Sequence, residues 1–99
     1  MTPNKISSLA DAVSAMHECE CRHSGTASVH EMQGQQTVWK GEVEIFDLAG
    51  HPKARRAYAW AWQDETGQVH NVAVLEIPPV TSPQQAVQAA IASQQFKQP

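Results

Sequence analysis

The stretch ARRAYAWAWQ, Ala54 to Gln63, decides how this chain folds. With the two-residue period of a β-strand, Tyr58, Trp60 and Trp62 project from one face and Ala57, Ala59 and Ala61 from the other. One arrangement covers the rings with helices and leaves the alanines outward. The opposite arrangement lets a helix approach the alanines closely and leaves the rings, beside Arg55 and Arg56, as an open platform. Each ring can bury ~150–250 Å², and a chain of 99 residues has a thin core. The covered-ring arrangement is therefore favoured. A third solution covers the ring face with the same face of a second copy, forming a symmetric dimer.

Neighbouring segments extend the strand into a sheet. Asp64 to Gly67 reads as a turn and Val69 to Ile77 as the last strand, which Pro78 and Pro79 end because neither donates a ladder hydrogen bond. Both faces of that strand are apolar, with Val72 and Val74 opposed to Ala73, Leu75 and Ile77. This favours a dimer that covers the second face. Upstream, Gly50 and Pro52 interrupt the chain after Thr37 to Leu48. There Trp39, Val43 and Ile45 point one way and Lys40, Glu42 and Glu44 point to water. Gly41 on the apolar side marks a bulge or leaves room for a large neighbour. Ala27 to Met32 pairs with this run across a Gly-containing hairpin.

Helices flank the strands. Ile6, Leu9, Val13 and Met16 recur at helical spacing from Asn4, a capping residue, to His17. Ser82-Pro83-Gln84-Gln85 has a cap, a first-turn proline and a glutamine able to complete a capping box. Ala86, Val87, Ala90 and Ile91 follow on one side. Residues 18–26 read as an irregular connection or irregular strand, and 95–99 as a frayed tail with Phe96 as a pin. The expectation is a single α+β domain over 1–99, ordered α-β-β-β-β-α. Its antiparallel four-stranded sheet carries the N- and C-terminal helices packed on one face.

Charge narrows the partners. Residues 1–50 hold three basic and seven acidic side chains, and residues 51–99 four basic and three acidic. Stacked rings beside arginine are what single-stranded nucleic acids bind, so Arg55, Arg56, Tyr58, Trp60 and Trp62 form the candidate interaction surface. The acidic balance disfavours nucleic acid and favours a protein partner, foremost a second copy. No stretch nears the ~20 apolar residues of a membrane span. The N-terminal residues do not read as a secretory signal. A cytoplasmic location follows, with Cys19 and Cys21 reduced.

His17, Cys19, Cys21 and His23 alternate within HECECRH, and extended chain would align their nitrogen and sulfur donors for zinc or copper(I). Metal binding there is an alternative to two small buried thiols beside two solvated histidines. A disulfide between Cys19 and Cys21 would be strained. His51, in a turn, reads as a local hydrogen-bonding residue. No nucleophile elbow, phosphate-binding glycine loop or metalloprotease helix is present. The chain reads as a non-enzymatic interaction module without a cofactor.

The run Trp39-x-Gly41-x-Val43-x-x-Phe46-Asp47-Leu48-x-Gly50-His51-Pro52, continuing to Ala57-Tyr58-Ala59-Trp60, resembles a pattern in short bacterial proteins of unassigned function. It covers about the middle third of the chain and implies no activity. The helix–sheet–helix order is similar to the double-stranded RNA-binding domain. That family begins its last helix with a lysine-rich segment, where this chain has Ser82-Pro83-Gln84-Gln85, and this chain has a fourth strand. Only the layer arrangement carries over.

Overall fold

A computed structural model describes residues 5–93. Asn4 as a cap, and Phe96 with the 95–99 tail, lie outside the described residues. The order is α1 (Lys5–His17), β1 (Glu20–Gln33), β2 (Gln36–Ala49), β3 (Arg56–Gln63), β4 (Val69–Leu75) and α2 (Pro83–Ser93). The strands form one antiparallel sheet in chain order, so the protein has the expected α-β-β-β-β-α layout of the α+β class. No described helix is long and apolar enough to cross a membrane.

The sequence pattern puts both helices on one face; the structure puts them on opposite faces. Leu9 and Val13 of α1 pack with Phe46, Ala57 and Ala59, and with Cys21, Leu48, Ala61, Ala73 and Leu75 around them. Ala86, Val87 and Ala90 of α2 pack with Val29, Val43, Tyr58, Trp60 and Val72. Neither arrangement of the opening strand holds alone, since both of its faces are covered. Its rings are covered by one helix and its alanines by the other, because small side chains let a helix approach the sheet closely. The two apolar faces of β4 have the same cause, and neither needs a second copy to cover it.

One irregularity in β1 makes the two-sided core possible. Cys21 pairs with Leu48 and His23 with Phe46, but beyond a shift at Ser24 the partners are Val43 for Ala27 and Gly41 for Val29. Directly opposed residues share a face. The extra residue therefore moves the inner side chains of β1 from the α1 side to the α2 side, while its burial alternation continues unbroken. Residues 18–26 are accordingly no connection: all but Glu18 and Cys19 are strand. Glu18 ends α1 in the left-handed region at φ 51°, a common helix stop.

Strands β2 and β3 pair only where Glu44–Asp47 meets Arg56–Ala59. Beyond it the β1–β2 and β3–β4 hairpins both supply side chains to the α2 cluster. Trp39 from one meets Trp60 from the other edge-on, with ring centroids 5.5 Å apart. Gly41 admits this contact: a Cβ there would lie 3.1 Å from the Trp39 ring. The β1–β2 connection is Gly34-Gln35, with Gly34 at φ 64°, the sign that a type II′ turn needs at its first central residue.

Ser82 caps α2, its Oγ accepting from the Gln85 amide at 3.2 Å. The Gln85 side chain reaches back one residue further than a capping box requires. Its Oε1 accepts from the Thr81 amide at 2.7 Å and the Thr81 hydroxyl at 2.6 Å. In α1, Met16 leaves the expected stripe and is 49% exposed, beyond the sheet that covers Leu9 and Val13.

Candidate interaction site

The aromatic strand is an interior element. Tyr58 and Trp60 are each 1% exposed, so α2 removes the open platform that the sequence allows. Trp62 is half-buried and stacks on His70, centroids 4.5 Å apart and planes 20° apart. Glu76 continues the pairing of β4 by donating its amide to the Arg56 carbonyl at 2.8 Å. This brings its carboxylate to the Tyr58 hydroxyl, which donates to Oε2. Burial, and then that bond, push the Tyr58 phenol up to about 12. Arg56 Nε donates to Asp47 Oδ1 at 3.2 Å, and the bond raises the guanidinium pKa. Of the five candidate surface residues, only Arg55 is freely exposed; Arg56 and Trp62 are partly so.

The His/Cys segment does not converge either. His17 closes α1 and meets the His51 ring edge-on at 6.1 Å. Cys19 sits in the turn, its thiol pKa raised by desolvation and then by Cys21. Cys21 faces α1, with Sγ donating to the Ala10 carbonyl at 3.3 Å and lying 3.5 Å from Ser14 Oγ. His23 Nε2 lies 2.8 Å from Glu44 Oε1. Because the chain leaves a helix, turns and then enters a strand here, the alternation expected of a single extended run is lost. Among the described residues, no three His, Cys, Asp or Glu side chains are grouped to hold a metal ion. His51 Nδ1 accepts the amides of Lys53 at 3.0 Å and Ala54 at 3.1 Å, so the neutral ring carries its proton on Nε2. It works as a loop brace.

Glu44 departs from its expected wet position. It is 5% exposed, opposite Ala59, and its Oε1 accepts from Thr26 Oγ1 at 2.5 Å beside His23. A buried carboxylate needs such partners to offset lost hydration. Alternation along β2 cannot show this, because Lys40 and Glu42 on the same side stay in water.

With both faces occupied at its centre, the sheet's remaining contact surface is its rim. Strand β1 ends the sheet and pairs only with β2. Its 14 residues contain neither lysine nor proline, two of the residues that guard an edge, though they carry the bulge at Ser24. Arg22, Ser24, Thr26, Ser28, His30 and Met32 alternate along it as exposed positions. Arg22 stands opposite Asp47, yet Asp47 bonds Arg56 instead. Among the described residues Arg22 has no ion-pair partner. Glu31, near the other end, is held by the Nε2 atoms of Gln84 and Gln88 from α2, the latter at 3.1 Å, with no cation beside it among the described residues. The sequence reading leaves this edge undefined because it does not choose between a connection and a strand for the first half of β1. The signal was the run of small and β-branched residues through Ser24 to Val29.

No protein-family model matches the chain, and no curated protein or solved structure matches it either.

Proposed function

We propose that the protein is a non-enzymatic interaction module that forms a homodimer through its sheet, by the β1 edge. The observation that carries this is a 14-residue edge strand that pairs with β2 alone, its His30 carbonyl also accepting from Gln84 Nε2 of α2 at 3.4 Å, in a sheet whose faces are already used. An edge strand offers a row of amides and carbonyls to another strand. The use made of the reactive side chains supports a non-catalytic role. Cys21 is spent on a helix carbonyl, His23 on Glu44, His51 on two loop amides and His70 on Asp64. Two free thiols suit a cytoplasmic setting, and the Trp39–Trp60 pattern suits a bacterial one.

Light scattering across micromolar concentrations tests the proposal. A dimer is expected, and Ser28→Lys, which places a charge on the exposed side of the edge, shifts it toward monomer without altering the fold. A wild-type monomer at every concentration overturns it.

A further inference from the structure

We infer that β1 is self-complementary about a two-fold axis through Ala27, and that Arg22 of one copy pairs with Glu31 of the other. This rests on the proposed dimerisation through the sheet edge and specifies its register. Two antiparallel edges related by an axis perpendicular to the sheet bring like faces together. Directly opposed side chains must therefore project to the same side.

That requirement selects the register. Beyond Ser24, Ala27 and Val29 face α2, while Thr26, Ser28 and His30 face the other way, as their β2 partners show. With Ala27 opposite its own copy, Thr26 lies opposite Ser28 and Gly25 opposite Val29. Each pair matches in face. The bulge at Ser24 then shifts the count by one residue, placing His23 opposite His30, Arg22 opposite Glu31 and Glu20 opposite Gln33. Every pair still matches, because the same bulge reverses the facing of His23 and Arg22. Without it, a pairing centred on Ala27 would run out of step with the two-sided burial of β1.

The charges favour this register. Arg22 opposes Asp47, and Glu31 opposes Trp39, so both project on the α2 side. Arg22 lacks an ion pair among the described residues. Glu31 is aimed by the amides of Gln84 and Gln88 and has no cation among the described residues. The two-fold brings the pair together twice, once at each end. No carboxylate meets another carboxylate and no guanidinium another guanidinium. The partner this fits is a second copy of the chain.

The test is a charge exchange read by sedimentation equilibrium. Opposite-charge cross-strand pairs contribute ~0.2–1 kcal/mol each, and like charges directly opposite destabilise. Arg22→Glu or Glu31→Arg alone, acting at both ends of the dimer, is expected to weaken association roughly tenfold. The double exchange should restore it to within about threefold. Loss of Glu31 from α2 would not be repaired by a change at Arg22, so rescue separates pairing from a structural role. In a Cys19→Ser/Cys21→Ser background, Ala27→Cys should cross-link two copies under mild oxidation, while Glu42→Cys should not. This readout holds even if a Glu31 variant fails to fold. A wild-type dimer that shows neither rescue nor the Ala27 cross-link overturns the register and leaves edge pairing standing. A wild-type monomer overturns both.

Discussion

Enlarging Ala59 separates a sheet covered on both faces from one covered on one face only. Ala59 is fully buried in the cluster formed by Leu9, Val13, Phe46 and Ala57, and it opposes Ala73 on β4. Ala59→Leu adds three carbons where α1 lies on the sheet. Overpacking of this kind costs about 1–3 kcal/mol, against a total of roughly 5–15 kcal/mol for a chain of this length. Each kcal/mol shifts the thermal midpoint of such a domain by about 4–8 °C, so a fall of roughly 5–20 °C is expected. If the alanine face met water, the change would stay within about 0.5 kcal/mol. Urea unfolding followed by tryptophan emission measures the difference. Leu9→Ala alone should cost about 2–5 kcal/mol through the cavity it leaves. Combined with Ala59→Leu, it should cost less than the two changes added together, by about 0.5–3 kcal/mol, because the new side chain enters the vacated space. An unchanged stability for Ala59→Leu, or strict additivity in the pair, refutes the placement of α1.

Other outcomes follow from single contacts. Gly41→Val should cost about 1–3 kcal/mol and alter the near-ultraviolet circular dichroism, since it displaces the Trp39 ring that meets Trp60; unchanged stability and spectrum would refute the close approach. Tyr58 is the only tyrosine, so tyrosinate absorbance reports it alone. The folded phenol titrates near about 12 against about 10 unfolded. Its contribution to stability is complete below about pH 10 and is lost as pH rises through the folded value; ionisation near pH 10 in folded protein would contradict the buried bond to Glu76. Asp64 Oδ1 accepts from the Thr66 amide, the Thr66 hydroxyl and the Gln68 amide, and Oδ2 meets His70 Nε2 at 2.8 Å. The Thr66 and His70 bonds hold its pKa well below the usual carboxylate range. That contribution is present above an unfolded value of about 4 and disappears as pH falls further. Asp64→Asn should lower stability at neutral pH and flatten the acid limb of the pH profile; a parallel profile would refute this.

Local periodicity made the element list legible. The alternation of Tyr58, Trp60 and Trp62 with alanines marks a strand, Leu9 and Val13 mark a helix face, and Ser82-Pro83 marks a helix start. Each signal depends on neighbours within a few residues, so the chain alone carries it. The Gly41 space was legible for the same reason, with Trp39 two residues away on the same side. The region from His17 to His23 was less so. Its alternation suggests one extended run, but Glu18 turns the chain out of α1 and Ser24 later reverses the facing of β1.

Amino-acid order by itself determined four strands between two helices, and which side chains share a side of β2, β3 and β4. Tertiary structure alone decided that α1 covers the alanines and α2 the rings, that Glu44 is buried, and that no open ring platform remains. The physical reason is that a two-residue period sorts side chains into two sets without saying what covers either. The covering depends on helices that are distant in sequence, and on one extra residue at Ser24 whose effect exists only against the register of β2.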